Sequence, residues 1–169
     1  PKPGIGSTPR DFNLDEWQYR DFTKALRKYM NEGPAWMGNI PVVFGEFGTY
    51  FNFGDPDQSR NHDYQISAHI LNRYYEAFEH LSVGNMVWCF SAENDKQKGE
   101  LWNHEDFSII DENGEPRAWP AYVRTTARAT SGRLIEQHFL SQYAYWDVRP
   151  DDADPEGTYT LLMRGSETG

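Results

Sequence analysis

The sequence predicts an α/β fold in which short buried strands alternate with amphipathic helices. Two apolar runs, residues 40–45 and 86–90, have the length and composition of strands in a parallel sheet. Helical periodicity occurs before, between and after them, an order that suits parallel βα units. After Gly132 the pattern changes to aromatic, strand-like segments, which marks the end of the α/β part.

The first helix is predicted over residues 14–30, after a loop rich in proline and glycine. Asn13 is suited to the N-cap position, and Glu16 three residues later completes a capping box. Large apolar side chains then recur at nearly helical spacing. The helix-breaking residues at 31–34 are expected to end this helix.

The first strand is predicted at residues 40–45, a continuous apolar run that is too short and too β-branched for a helix. We expect it to be buried on both faces, with Pro41 tolerated at its beginning. The run leads into Glu46, a carboxylate that is costly to desolvate. Because α/β barrels carry catalytic groups at the carboxyl ends of their strands, Glu46 is the first catalytic candidate. A buried ion pair and a solvated loop residue are the alternatives.

A second helix is predicted over residues 64–81, capped by Asp63 and closed by Gly84. The second strand follows at residues 86–90 and contains Trp88. A tryptophan in a strand usually belongs to the core. An indole face can also cover the apolar face of a sugar ring, which gives Trp88 a second, functional interpretation.

A long polar loop follows the second strand. Glu93 and Asn94 come just after the strand, where they can bind sugar hydroxyls or simply belong to a polar loop. Trp102 stands among polar residues, and this favours a loop that folds back onto the body of the domain.

The third helix is predicted from Pro120, which fits a first helical turn, to about residues 131–132. Two further strands are predicted at residues 143–148 and 158–162, on either side of an acidic turn at residues 151–155.

We therefore divide the chain into an α/β part, residues 1–132, and residues 133–169, a linker with the beginning of a β domain. A complete eight-stranded α/β barrel takes about 250 residues, and two barrel-type strands cannot close one. The α/β part is either a piece of a longer protein or a small open α/β domain.

Composition excludes several classes of function. The 169 residues include 16 Lys and Arg against 26 Asp and Glu, a net charge of −10, so the chain lacks the basic stripe of a nucleic-acid-binding protein. The single cysteine, Cys89, cannot form an internal disulfide and is better explained as a small core residue than as a nucleophile. The histidines show no ligand motif, and no apolar run has the length of a membrane helix. The sequence contains neither a phosphate-binding glycine loop nor a serine nucleophile elbow.

Three motifs carry a resemblance to a known family. They are PVVFGEFG at residues 41–48, VWCFSAEN at residues 87–94 and GELWNHEDFSI at residues 99–109. Together they resemble the C-terminal part of a glycoside hydrolase family 5 enzyme, in the retaining, cellulase-like superfamily. The third motif is similar to the endoglycoceramidase and steryl-glucosidase branches.

The resemblance implies a (β/α)8 TIM barrel followed by a small β-sandwich. The first motif would be the seventh barrel strand, with Glu46 as the catalytic nucleophile. The second would be the eighth strand, with Trp88 lining the subsite that holds the sugar being cleaved. We expect Glu93, Asn94 and Trp102 to join it in binding substrate.

The family mechanism is a retaining double displacement with two carboxyl groups about 5–5.5 Å apart. The family's acid/base follows an asparagine at the end of the fourth strand, which we expect upstream of Pro1 with the rest of the barrel. The Asn31-Glu32 pair lies at a predicted helix end and does not match that motif. The isolated chain is therefore expected to be inactive.

The expected substrate is a β-glucoside, a glycolipid or an oligosaccharide. The resemblance implies no metal or organic cofactor, no nucleic acid and no transmembrane segment. Two alternatives stay open: a β-glucanase or mannanase that acts on polysaccharide, and a non-catalytic carbohydrate-binding protein of the same fold.

Overall fold

The computed structural model describes residues 22–38, 40–52, 62–95, 97–101, 105–129, 134–140 and 160–165. Its elements are α1 (Phe22–Met37), β1 (Val43–Phe47), a 3₁₀ turn (His62–Tyr64), α2 (Gln65–Leu81), β2 (Gly84–Val87), α3 (Trp119–Tyr122), β3 (Leu134–Leu140) and β4 (Thr160–Gly165). The described residues form two two-stranded sheets: β1 and β2 pair in parallel, and β3 and β4 pair antiparallel. The predicted parallel α/β arrangement is therefore present, as a small part with a two-stranded sheet.

Helix α1 extends further than the sequence predicts. It continues through Pro34 to Met37, so the predicted end at residues 31–34 is wrong. The Gly38 amide donates to the Pro34 carbonyl (2.9 Å) where the helix ends. A proline removes one helical hydrogen bond and crowds the carbonyl four residues before it. Here it lies just before a last turn that is largely exposed to solvent, with Trp36 88% exposed. Residues 14–21 of the predicted helix lie outside the described part.

Strand β1 begins at Val43 and includes both Glu46 and Phe47, so it starts and ends later than predicted. The expectation that it is buried on both faces is wrong, since Val43 is 54% exposed and Glu46 is also exposed. The described residues cover the strand chiefly on the side of α2. There Phe44 and Phe47 pack against Phe78, with ring centroids 5.2 Å and 4.7 Å away.

Helix α2 spans almost the predicted residues, but its ends differ from the prediction. Asp63 and Tyr64 both have left-handed backbone angles, and Tyr64 occupies the N-cap position, so Asp63 is not the cap. At the other end the left-handed Ser82 closes the helix and donates its amide to the Glu79 carbonyl (3.0 Å). Gly84 already belongs to β2, which starts before the predicted strand and ends at Val87, so Trp88 follows the strand and does not lie in it.

The hydrophobic core joins α1, the β1–β2 sheet, α2 and the segment around α3. Its buried members are Leu26, Phe47, Phe51, Ala68, Leu71, Ala77, Phe78, Ala118 and Ala121. Tyr74 and Tyr75 of α2 complete the aromatic contacts of Phe47, at ring-centroid distances of 5.4 Å and 5.2 Å. Helix α2 thus holds β1 by aromatic packing, each buried aromatic side chain contributing about 1.5–3 kcal/mol.

The third helix is much shorter than predicted. It covers only Trp119–Tyr122 because Val123 is extended, although the Val123 amide still donates to the Trp119 carbonyl (3.0 Å). Immediately afterwards, Arg124 forms an ion pair with Glu79 of α2. This buried contact fixes the chain in an extended conformation that helical periodicity cannot anticipate.

The second sheet consists of β3 and β4. Strand β3 was not predicted, whereas β4 overlaps the strand predicted at residues 158–162. The predicted strand at residues 143–148 and the acidic turn at residues 151–155 lie outside the described residues. No helix in the described ranges is long and apolar enough to span a membrane.

Candidate functional site

Glu46 and Trp88 lie at the same edge of the parallel sheet. The Trp88 amide donates to the carbonyl of Phe47 (2.7 Å), directly across from the end of β1. Because the two strands run parallel, their carboxyl ends meet there. The structure therefore brings together the two strand ends that the sequence singled out.

A β-bulge lies between Phe44 and Phe47 of β1, the stretch that contains Glu46. Phe44 pairs with Asn85 and Phe47 with Val87, so β1 advances three residues while β2 advances two. Such a bulge changes the direction of the side chains that follow it. It allows both phenylalanines of β1 to face α2 and leaves Glu46 exposed between them.

Gly48 allows the two strand ends to approach closely. A Cβ atom at this position would lie 2.1 Å from the Trp88 carbonyl oxygen and 3.0 Å from the ring of Phe107. Any larger residue would push the strand ends apart. The second glycine of the Gly-Glu-Phe-Gly motif is thus explained by packing.

Residues Asp106–Ile109, which we call the bridging segment, lie between the two strand ends. On one side the Phe51 amide donates to the Asp106 carbonyl (2.8 Å). On the other side the Cys89 amide donates to the Phe107 carbonyl (3.3 Å), and the Cys89 carbonyl accepts a hydrogen bond from the last residue of the segment (2.9 Å). The bridging segment therefore binds the backbone that follows β1 and the backbone that follows β2.

Side chains reinforce this arrangement. The Ser108 hydroxyl accepts from the Ser91 amide (3.1 Å) and donates to the Ser91 carbonyl (3.2 Å). The ring of Phe107 packs against Tyr50 at 4.4 Å between centroids. Burial, followed by the charge of Glu105 and a hydrogen bond to it, raises the pKa of Tyr50, so the phenol stays protonated.

A buried ion pair supports the bridging segment from within. The Arg117 Nη2 atom donates to Asp106 Oδ1 (2.6 Å), and both side chains are at most 2% exposed. The Arg117 Nε atom donates to the Ser108 carbonyl (2.9 Å), and the guanidinium lies 4.1 Å from the centroid of the Phe51 ring. One arginine therefore contacts the bridging segment and the chain that follows β1.

The loop before the bridging segment turns back on itself. The amides of Asp95 and Gly99 donate to each other's carbonyls (3.1 Å and 2.7 Å), and the Glu100 amide donates to the Glu105 carbonyl (2.9 Å). Gly99 has a φ of +67°, and a Cβ there would lie 2.2 Å from the Glu105 carbonyl oxygen. The glycine that begins the third motif is thus required for this turn.

Cys89 is buried. Burial, and then the negative charge of Glu100, raise the pKa of its thiol to about 11. The thiol is therefore protonated near neutral pH, which supports the assignment of Cys89 to the core.

The remaining predicted site residues are placed as follows. Trp88 is half-buried and Glu93 is exposed. Asn94 is only 3% exposed and its amide donates to Asp106 Oδ1 (3.4 Å), so it belongs to the packing of the loop in this structure. Trp102 lies outside the described residues. In the described part of the chain, no group of three or more His, Cys, Asp or Glu side chains is arranged to hold a metal ion.

Sequence reasoning assigned no role to three residues that organise the site: Asp106, Ser108 and Arg117. The first two are part of the third motif, where an acidic residue and a serine alternate with the apolar Phe107 and Ile109. That alternation was a signal for inward-facing polar groups. Nothing in the local sequence marks Arg117 as their partner.

The parallel strands, with helix α2 between them and candidate groups at their carboxyl ends, define the class of fold: an α/β arrangement of the kind whose sites lie at that edge of the sheet. Two crystal structures of sterylglucosidase 1 from Cryptococcus neoformans, one with tris and one with a small-molecule hit, share the fold. Each gives a TM-score of 0.63 at 19% and 18% identity respectively, over 69% of this chain and 20% of the other.

Sequence comparison relates the chain to particular proteins. The chain is 30% identical over 98 residues to ergosteryl-β-glucosidase of Saccharomyces cerevisiae, which is 55% of this chain and 13% of the relative. It is 34% identical over 93 residues to a glucosylceramidase of Aspergillus fumigatus, 53% of this chain and 12% of the relative. A glucosylceramidase of Cryptococcus neoformans matches over 75% of this chain at 26% identity. No family model matches the chain.

These relatives are glycosidases, and the chain spans about an eighth of the length of the first two (13% and 12%). Over about half of its own length, the chain is homologous to steryl glucosidase and glucosylceramidases. This confirms the resemblance to glycoside hydrolase family 5 that the three motifs indicated.

Proposed function

We propose that this chain supplies the nucleophile and part of the sugar-binding surface of a retaining β-glucosidase, with Glu46 as the nucleophile and Trp88 beside the sugar. The observation that carries the proposal is the meeting of the two strand ends. The Trp88 amide donates to the carbonyl of the residue after Glu46 at 2.7 Å. Glu46 is exposed and Trp88 is half-buried, and the two follow neighbouring strands at one edge of the sheet. A carboxylate and an indole at one edge are suited to attacking and binding a pyranose ring.

The proposal includes the architecture of the whole enzyme. We place β1 and β2 as strands seven and eight of a (β/α)8 barrel, in a domain that covers residues 1–132 here, with residues 133–169 beginning a β domain. Apolar side chains exposed on and near this sheet support the proposal: Val43 is 54% exposed, Met86 59% and Phe90 68%. Further barrel strands would cover them.

The proposed reaction has two steps. The Glu46 carboxylate attacks the anomeric carbon while the bond to the aglycone oxygen breaks, and a second carboxyl group protonates that oxygen. The second group then removes a proton from water, which attacks the anomeric carbon and releases Glu46. We expect that acid/base residue in barrel sequence upstream of Pro1. In this proposal Glu93 and Trp102 provide further contacts to the substrate.

The names of the relatives favour one substrate class. They are an ergosteryl-β-glucosidase and glucosylceramidases, so we propose a β-glucoside with a sterol or ceramide aglycone as the substrate. This ranks the glycolipid above the polysaccharide alternative. Comparing hydrolysis of a steryl glucoside, a glucosylceramide and a soluble β-glucan by the full-length protein separates the two.

Trapping the intermediate tests the nucleophile. The full-length protein that contains this chain is incubated with a 2-deoxy-2-fluoro-β-glucoside bearing a good leaving group, which slows hydrolysis of the glycosyl ester. Digestion and mass spectrometry should place the added sugar on the peptide that contains Glu46. Glu46→Gln should abolish labelling and turnover, whereas Glu32→Gln, on the exposed end of α1, should change neither.

Other outcomes have distinct meanings. Labelling of Glu93, Glu105 or Asp106 would move the nucleophile to a different residue. Full activity in Glu46→Gln would refute the mechanism. Sugar binding without hydrolysis or labelling would favour the non-catalytic carbohydrate-binding alternative.

A further inference from the structure

We propose that the buried Arg117–Asp106 ion pair is a positioning device: it fixes the bridging segment, and through that segment the alignment of Glu46 with Trp88. This inference rests on the proposed function in one respect, since it takes Glu46 as the nucleophile and Trp88 as the side chain that contacts the sugar. The third motif gains a role from it, because its Glu-Asp-Phe-Ser-Ile run contains the bridging segment.

The bridging segment is attached to the chain that follows each strand. Its backbone accepts hydrogen bonds from the amides of Phe51 (2.8 Å) and Cys89 (3.3 Å). The Ser108 hydroxyl adds two bonds to the backbone of Ser91. A shift of the segment therefore moves the backbone that follows Glu46 and the backbone that follows Trp88 relative to each other.

Arg117 holds the bridging segment. Its guanidinium binds the Asp106 carboxylate and the Ser108 carbonyl at once, so the fork spans two alternate residues of the segment. Its backbone amide donates to the Ile109 carbonyl (2.9 Å). A planar, rigid fork with several bonds restricts the direction of the segment in a way that a single contact cannot.

The side chains that make these contacts are buried and closely packed. Asp106 and Ser108 are at most 1% exposed, and Gly48 leaves no space for a Cβ atom next to Phe107. Arg117 is also enclosed by the rings of Phe51 and Tyr64, at 4.1 Å and 5.6 Å from their centroids. A displacement of the Arg117 or Asp106 side chain is therefore expected to shift the backbone at the two strand ends.

The test compares two buried ion pairs in the full-length protein. Asp106→Asn keeps the size of the side chain and removes its charge. Glu79→Gln makes the same kind of change in the Glu79–Arg124 pair, which lies near the end of α2, shortly before β2 begins and thus at the opposite edge of the sheet. Activity is expressed per folded molecule, with the folded fraction measured by circular dichroism.

We expect Asp106→Asn to lower kcat by about tenfold to hundredfold, with a smaller change in KM, because misplaced reacting groups slow the chemical step more than binding. Glu79→Gln should leave kcat within about twofold of the native value. Arg117→Lys keeps the charge without the fork, so its kcat should fall between those of the native protein and Arg117→Met. If Asp106→Asn does not fold, Ser108→Ala takes its place, which leaves the ion pair intact and removes the bonds of the hydroxyl to Ser91 and to the Ile110 amide (3.3 Å).

Hydrogen exchange provides a readout that does not depend on activity. In Asp106→Asn the amides of Phe51, Cys89 and Ser91 should exchange faster, while those in the middle of α2 keep their native rates. Retained protection at these three amides would overturn the proposal, as would an equal loss of kcat in Glu79→Gln. If the native protein hydrolyses no glucoside, the proposed function fails, and the exchange of these amides still decides whether the ion pair positions the strand ends.

Discussion

The Glu79–Arg124 pair should be the main attachment of β3 to the α/β part. Glu79 Oε1 accepts from Arg124 Nε, and Glu79 Oε2 accepts both from Arg124 Nη2 (3.0 Å) and from the Phe139 amide (3.0 Å). Arg124 in turn donates to the Phe139 carbonyl (2.7 Å) and to Asn72 Oδ1 (2.7 Å). A single carboxylate therefore connects α2, the segment after α3 and β3.

The expected cost of Glu79→Ala follows from burial. The side chains of Arg124 and Glu79 are 3% and 7% exposed, so the substitution leaves a buried guanidinium without its carboxylate and the Phe139 amide without an acceptor. Removing one partner of a buried ion pair costs about 3–5 kcal/mol. Replacing both residues by apolar ones, Glu79→Leu with Arg124→Met, should recover part of this cost, since no charge is then left unpaired, while the Phe139 amide still lacks its acceptor.

Hydrogen exchange of the β3 amides in the full-length protein measures this cost as a change in the free energy of local opening. The control is Arg73→Ala, which breaks an exposed pair with Glu76 (3.1 Å) and should cost at most about 1 kcal/mol. If Glu79→Ala changes β3 protection no more than Arg73→Ala does, the proposed attachment is refuted. The same holds if the double replacement is as damaging as the single one.

Three further predictions follow from individual contacts. Gly48→Ala should destabilise the protein by about 1–3 kcal/mol in urea unfolding, because the added Cβ would lie 2.1 Å from the Trp88 carbonyl oxygen. The control, Gly45→Ala, adds a Cβ with nothing within 4 Å and should unfold like the native protein. Burial, with the nearby charge of Glu100, raises the pKa of the Cys89 thiol from 9.0 to about 11. The stability that the protonated thiol contributes is therefore complete below pH 9 and is lost as the pH rises towards 11. The unfolding midpoint of Cys89→Ala should therefore fall less steeply over that interval, and equal slopes would contradict the assignment. Trp88→Ala should lower kcat/KM far more than it lowers the melting temperature, and a large loss of stability with unchanged kinetics of the folded fraction would make Trp88 a core residue.

Periodicity predicted the elements whose packing is local. The spacing of Ile70, Leu71 and Phe78 predicts the helix that the structure contains as α2, and the apolar runs around Val43 and Val87 predict the two parallel strands. Parallel pairing itself follows from the order of elements along the chain. The meeting of the Glu46 and Trp88 backbones was thus predictable from sequence, since carboxyl ends of parallel strands share one edge.

Contacts between distant segments decided the features that sequence reasoning missed. The helix predicted from Pro120 stops early because Arg124 is bound by Glu79, 45 positions away in the chain. The sequence around Arg124 does not indicate this contact. Arg117 reaches Asp106 across 11 positions for the same kind of reason. The bulge between Phe44 and Phe47 lets both rings pack against Phe78 of α2, which strict alternation along a strand does not allow.

Azide rescue tests most directly whether Glu46 is the nucleophile. Glu46→Ala of the full-length protein leaves space next to the anomeric carbon but no carboxylate. With an activated β-glucoside, azide should attack from the face that Glu46 occupied, expel the leaving group and give the α-glucosyl azide, identified by nuclear magnetic resonance. Restored turnover with the α-azide is the result that this account predicts. A β-glucosyl azide, or no rescue in a variant that is folded and binds the glucoside, would contradict it.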